Sequence, residues 1–276
     1  MLANKLLAAM AGGEEKLYVD DVFSAYTYTG NGSTQTITNG IDLAGKGGMV
    51  WIKDRDSGLK GHALFDTARG INLKLQSQST NGQFSGANQL TAFNSNGFAL
   101  GSSGDPNGSG TAYVSWTFRK AAKFFDVVTY TGNGGTKVVP HSIGSAPGMI
   151  VVKRTDTTGD WVVYHQSVPA NCGFLNLTNS FASAQRFSSV TSSDFTINVS
   201  TADVNASGGT YVAYLFAHDT GTDGLIQCGS FTTDGSGNAT VTLGWEPQFN
   251  WMKSTDLVDQ WYMLDSMRGW PVTTAS

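Results

Sequence analysis

Charge is scarce in this chain of 276 residues: Asp, Glu, Lys and Arg together make up 14%, well below the usual quarter. Gly, Ser, Thr and Asn take their place. The resulting surface is polar but nearly neutral, which suits a protein outside the cytoplasm or within a large assembly. The net charge is -4 and no basic cluster is present, so the chain carries no electrostatic footprint for nucleic acid. Cysteine is nearly absent, and Cys172 and Cys228 occupy non-equivalent places in the sequence. Two reduced, buried thiols are therefore expected rather than a disulfide framework. No apolar run approaches the ~18 residues of a membrane span. A Gly-x-Ser-x-Gly elbow, a phosphate-binding loop and paired dinucleotide-binding glycines are all missing. His62, His141, His165 and His218 show no metal spacing and read as polar tips at strand ends. No catalytic residue is assigned, no metal ligand is assigned, and no enzymatic activity is expected.

What is present is repetition. Tyr28-Thr29-Gly30-Asn31-Gly32 returns as Tyr130-Thr131-Gly132-Asn133-Gly134, and more weakly as Phe231-Thr232-Thr233-Asp234-Gly235. Behind each copy lies an apolar run ending in lysine, at Lys53, Lys153 and Lys253. A period of about 100 residues exceeds that of a solenoid, so each unit reads as a small domain with its own core. The expected organisation is an N-terminal segment over 1–21, repeats over 22–122 and 123–220, and a partial third repeat over 224–276.

Within a repeat the pattern is all β. Phe23-Ser24-Ala25-Tyr26-Thr27-Tyr28 alternates as a half-buried strand does, and the Asn-Gly that follows is a turn signal. Met49-Val50-Trp51-Ile52-Lys53 is apolar on both faces and reads as a central strand, with His62–Asp66 returning beside it. Residues 110–118 and 209–217 close the first two repeats. Short strands with turns every 8–12 residues predict tandem antiparallel β-sandwiches. Residues 71–92 and 170–193 are poorest in pattern and are expected to be long loops or edge strands. The third repeat lacks a closing strand, and half a sandwich exposes open edges. Either the sequence is a fragment or a partner chain supplies the rest.

At the N-terminus, Leu2, Leu6, Leu7 and Met10 share one face of a short helix that ends at Gly12-Gly13. A helix so short needs a partner surface, so a docking segment is expected; a disordered tail or a signal peptide are the alternatives. Asp54, Asp56, Asp156, Asp160, Asp256 and Asp259 follow the lysine strands, where they serve as turn residues or as oxygen ligands for Ca2+. Most of the seven tryptophans fall inside strands and read as core. Trp245 and Trp270 lie in loop context beside prolines and are the candidates for contact with a glycan. Asp66-x-x-Arg69-Gly70 and Asp265-x-x-Arg268-Gly269 match. They read as ion pairs that fix a turn, with a ligand-facing role for Arg69 and Arg268 as the functional alternative.

The Tyr-Thr-Gly-Asn-Gly turn, the lysine strand with its Asp-rich turn, and Val204-Asn205-Ala206-Ser207-Gly208-Gly209-Thr210-Tyr211-Val212 together resemble a repeat of bacteriophage virion proteins, mostly tail fibres and tail-associated structural proteins. The resemblance covers roughly residues 22–270. It implies a concanavalin-A-like jelly roll and a structural, adhesive role in the virion, favouring the tail over the capsid, after assembly in the host cytoplasm. It also implies docking through the N-terminus onto tail, baseplate or portal-proximal proteins, a homotrimer, and contact with a host surface glycan. A capsid decoration or head-fibre protein, a secreted carbohydrate-binding module and a depolymerase are the rival expectations.

Overall fold

The computed structural model describes residues 16–270 except 57, 59, 183 and 184. In the first repeat the strands are β1 (Phe23–Thr29), β2 (Gln35–Thr38), β3 (Gly48–Asp54), β4 (Ala63–Asp66), β5 (Leu73–Lys74), β6 (Phe84–Ser85), β7 (Leu90–Asn94), β8 (Gly97–Leu100) and β9 (Ala112–Arg119). The second holds β10 (Phe125–Thr131), β11 (Lys137–Pro140), β12 (Pro147–Arg154), β13 (Trp161–His165), β14 (Gly173–Phe174), β15 (Phe187–Val190), β16 (Asp194–Ile197) and β17 (Thr210–Ala217). The third has β18 (Phe249–Met252) and β19 (Tyr262–Asp265). The sheets are antiparallel throughout, and the large ones run β1-β9-β3-β4 and β10-β17-β12-β13-β14. Each faces a three-stranded sheet, β2-β8-β7 or β11-β16-β15.

The double-sided apolar pattern of the lysine strands has a specific cause. Successive side chains of a strand point to opposite faces. Val50 and Ile52 of β3 enter the first sandwich with Phe65, Phe98 and Tyr113. Met49 and Trp51 point the other way, into a second core. In β12, Ile150 and Val152 fill the second sandwich, while Met149 and Val151 join that same second core. The closing strands divide alike: Val114, Trp116 and Phe118 of β9, and Val212, Tyr214 and Phe216 of β17, all meet there. The first two repeats therefore each have their own core and share another, formed by the backs of the two large sheets. The β18–β19 hairpin adds Phe249, Trp251, Trp261 and Met263 to this shared core.

The shared core is rich in aromatic rings. Trp51 meets Trp116 and Trp251 edge-on, with ring centroids 6.0 and 5.4 Å apart, and Phe118 meets Phe216 at 5.4 Å. Such edge-to-face pairs add roughly 0.5–1.5 kcal/mol each beyond the area they bury. A void of about 10 Å³ remains among Trp51, Val151, Trp161, Tyr214 and Trp251. One water needs ~10–15 Å³ and polar partners, so this apolar gap is packing slack rather than a ligand chamber.

Candidate functional site

Register makes the repeats superimposable residue by residue. Met49 pairs with Asp66, Met149 with His165, and Phe249 with Asp265. Asp66, His165 and Asp265 are thus equivalent, and so are Trp116 and Tyr214 in the closing strands. The Asp-x-x-Arg-Gly motifs form seams between repeats. Asp66 accepts from the Arg69 Nε at 2.6 Å and from the Arg69 backbone N at 2.9 Å. Tyr214 of the second repeat donates its hydroxyl to Asp66 at 2.8 Å. In the other seam Asp265 holds Arg268 Nε at 2.6 Å, and Trp116 of the first repeat donates its indole N–H to Asp265 at 2.9 Å. The Arg268 guanidinium lies 5.0 Å from the Trp116 ring centroid.

This placement turns the Arg69 side chain away from solvent and leaves Arg268 exposed. The Arg69 side chain is 3% exposed and saturated by Asp66 and Tyr214. Arg268 is more open, but its charge is spent on Asp265 and the face of Trp116. Both ion pairs fix their turns and extend into contact with another repeat, Asp66 with the second and Asp265 with the first.

The pattern-poor segments form a second kind of seam. In residues 71–92, Gln83 N donates to Thr155 O at 2.8 Å, and Thr80 O accepts from Gly159 N at 2.8 Å. In residues 170–193, Phe181 N donates to Thr255 O and Thr178 O accepts from Asp259 N, both at 2.9 Å. The indoles join in: Trp161 donates to Gln76 O at 3.1 Å and Trp261 to Phe174 O at 2.9 Å. These segments are clasps reaching from each repeat onto the next, rather than free loops. The recurring lysines share one contact. Each ammonium donates to the carbonyl of the following residue: Lys53 to Asp54, Lys153 to Arg154, Lys253 to Ser254. Lys153 also reaches the clasp at Thr80 O, 3.1 Å away, and burial lowers its pKa to about 8.

The Tyr-Thr-Gly-Asn-Gly motif is an anchor within each sandwich. Its partner is a buried asparagine just ahead of the closing strand, Asn107 or Asn205. Asn107 accepts from Asn31 N at 3.0 Å and donates to Ser33 O and to Gly101 O, at 2.9 Å for the latter. Asn205 accepts from Asn133 N at 2.9 Å and donates to Gly135 O and Val199 O. Tyr28 and Tyr130 donate to Pro106 O and Val204 O, and stack on Tyr113 and Tyr211. Asn205 lies in the stretch that carries the resemblance and Asn107 does not, and the sequence marked neither as an anchor, although Asn-x-Ser-Gly recurs at 107 and 205.

The other candidates scatter. Trp245 is exposed and Trp270 half-buried, so Trp245 alone of the four glycan candidates offers a substantially open ring. Leu2, Leu6, Leu7 and Met10 lie outside the described residues. The carboxylates considered for Ca2+ do not converge. Asp54 bonds Asp56 N, Asp56 bonds Ala112 N, Asp156 holds Arg154, and Asp160 holds Asn176. Asp256 accepts from Ser254 and Asp259 from Tyr262. Among the described residues no group of three or more His, Cys, Asp or Glu side chains is placed to hold a metal. Cys172 and Cys228 are free, buried thiols, and burial pushes Cys228 up to about 12.

The geometry is one of joints. Buried ion pairs, clasps and aromatic faces hold three copies of one strand pattern together. No curated protein and no solved structure matches the chain. A family model, described as a domain of unknown function (DUF7483), matches residues 19–274, and the chain belongs to that family.

Proposed function

We propose that this chain is a structural protein of a bacteriophage particle, a tail fibre or tail-associated spacer that docks through its N-terminal segment. Its sandwiches then stand between the particle and the host surface. The observation that carries this reading is the way the repeats are joined. Repeats 1 and 2 are joined by a buried ion pair and main-chain clasps, repeats 2 and 3 by clasps, and repeat 3 meets repeat 1 through Asp265 and Trp116, all around one shared aromatic-rich core, so the repeats resist movement relative to one another. A spacer that transmits force needs such joints. A nearly uncharged polar exterior suits a crowded assembly. The exposed ring of Trp245 is the surface offered to a sugar face. Trimerisation, as fibres use, belongs to the same proposal.

Immunogold labelling of the parent particle, with antibody raised against residues 22–218, tests it. Gold at the tail supports the fibre. Gold over the shell makes the chain a decoration protein and removes host recognition from the proposal. Particles without gold, from cells in which the chain is detected, overturn the virion reading and leave a secreted carbohydrate-binding module in its place. A glycan array with Trp245→Ala as control tests the adhesive part. Binding that the substitution leaves unchanged removes Trp245 from the glycan surface.

A further inference from the structure

Six Asn-Gly pairs occur in the chain, beginning at 31, 39, 81, 96, 107 and 133. This dipeptide carries a reaction of its own. The glycine nitrogen, unhindered by a side chain, attacks the asparagine Cγ. Ammonia leaves and a succinimide ring closes. Water then opens the ring, mostly so that the main chain runs on through Cβ and Cγ. In sum, asparagine and water give isoaspartate and ammonia, with no oxidant or cofactor. The reaction needs a rotatable carboxamide and a free glycine N–H, so hydrogen bonds to either one suppress it.

Five of the six pairs are restrained in this way. Gly32 N donates to Asn107 O at 2.9 Å, Gly134 N to Asn205 O at 3.0 Å and Gly97 N to Ile41 O at 2.7 Å. Gly108 N donates to the Tyr113 hydroxyl at 2.9 Å, beside the buried Asn107. Asn39 spends its carboxamide on Thr117 Oγ1, at 2.8 Å, and on Ile41 N. Asn81 differs. Its side chain is exposed and bonds nothing among the described residues, and there neither Asn81 O nor Gly82 N has a partner. Only Asn81 N is tied, donating to Ser79 Oγ at 3.1 Å. Glycine is needed at 82 for a separate reason: a Cβ would stand 2.7 Å from Thr155 O and 2.9 Å from Thr157 O of the second repeat. Close packing of the clasp thus sets the most reactive following residue beside the one unrestrained asparagine of the six.

The geometry points to Asn81-Gly82 as a self-modification site, which converts to isoaspartate in the folded protein and so unlocks the first clasp. The position decides the consequence. Thr80 O accepts from Gly159 N and Gln83 N donates to Thr155 O, so the pair lies between the two main-chain ties to the second repeat. The Lys153 ammonium also bonds Thr80 O. An isoaspartate lengthens the main chain between these ties by one carbon and adds a negative charge, which puts the two bonds out of register. The triad of Asp66, Arg69 and Tyr214 is untouched. Because ammonia is lost, asparagine is not regenerated, and the seam between repeats 1 and 2 loosens with the age of the molecule. The proposal is independent of the virion reading, since a secreted protein with this clasp would age in the same way.

The test ages the full chain at several pH values from neutral to mildly alkaline. Peptide mass spectrometry reads each Asn-Gly pair, with NH replaced by O marking the product and isoaspartyl methyltransferase labelling identifying the isomer. Expected is modification at Asn81 at least about tenfold faster than at the other five, the factor that one or two hydrogen bonds supply. Its rate should rise in proportion to hydroxide concentration. Hydrogen exchange of the aged chain should be at least about tenfold faster at the Gln83 and Gly159 amides, and unchanged at the Phe181 and Asp259 amides of the second clasp. Asn81→Gln disfavours ring closure and touches no side-chain bond, so it should keep its exchange at Gln83 and Gly159 through the same ageing. Modification of any other pair at an equal or greater rate overturns the proposal. So does an Asn81 that stays intact in the folded chain and reacts only in urea. Isoaspartate at this position with both clasp amides unaltered overturns it too.

Discussion

The Tyr214 hydroxyl lies 2.8 Å from Asp66 Oδ2, joining residues 148 positions apart, and Asp66 also holds the buried guanidinium of Arg69. The seam is therefore a triad, and its members differ in what their loss leaves behind. Tyr214→Phe removes a neutral donor and leaves the ion pair whole. A hydrogen bond to a charged group contributes about 1.5–3 kcal/mol, and a loss of that size is expected. Asp66→Ala strands Arg69 as an uncompensated buried charge, for which roughly 3–5 kcal/mol is typical. Urea unfolding of the two variants should rank them in that order. Equal losses would mean that the carboxylate does not hold the guanidinium.

Much of this seam was readable and part was not. The Asp-x-x-Arg-Gly match pointed to a local ion pair, because both partners lie within one turn. The contact with Tyr214 was hidden, since nothing in a single strand says which repeat its outer face will meet. The clasps were hidden for a different reason. They bond through main-chain atoms, so the donors Gln83 and Phe181 share a role with no likeness of side chain. Segments joined by backbone bonds escape a reading based on apolar period. The lysine strands were legible as central, but their second apolar face belongs to a core shared between repeats, which periodicity alone does not distinguish from burial within one sandwich. The third first-strand segment shows the converse. Residues 226–232 match the other two only at their Phe231-Thr232 end, and they form no strand, because a strand needs a neighbour.

The buried asparagines give a second prediction. Asn107→Ala deletes the acceptor for Asn31 N and the donor to Ser33 O and Gly101 O, leaving main-chain groups without partners. Roughly 2–4 kcal/mol should be lost. Asn205→Ala should cost a similar amount, since its bonds repeat those of Asn107. Thermal melts of both variants check this. A change below about 0.5 kcal/mol in either would assign the turn's stability to the Tyr28 and Tyr130 hydroxyls instead.

The motif glycine is fixed by close approach rather than by its backbone angle. A Cβ on Gly30 would collide with Gly108 O and stand 2.9 Å from both the Asn107 carbonyl carbon and Tyr113 Cε2. Gly104, a few residues from the same turn, has nothing within 4 Å of its would-be Cβ. Gly30→Ala should destabilise by more than about 2 kcal/mol, and Gly104→Ala should stay within about 0.5 kcal/mol. Denaturant midpoints of the pair decide the matter, with Gly104→Ala controlling for any general effect of added methyls in this region.

His62 predicts how stability responds to acid. Trp51 Nε1 donates to His62 Nδ1 at 2.8 Å, which requires the neutral ring with its proton on Nε2. Burial, reinforced by the positive charges of Lys53 and Arg268, lowers its pKa from 6.5 to about 4. An unfolded chain then binds more protons than the folded one between those values, so stability falls as pH drops from 6.5 towards 4. The full effect is bounded by about 3 kcal/mol, and it is complete once both states are protonated. Protonation of Nδ1 also removes the acceptor for Trp51 at the edge of the shared core, which couples the ring to the packing of the repeats. His62→Gln keeps polarity at this position without titrating in that range. Its melting temperature should therefore vary less between pH 6.5 and 4 than that of the unaltered chain, and parallel curves would show that His62 titrates alike in the folded and unfolded states.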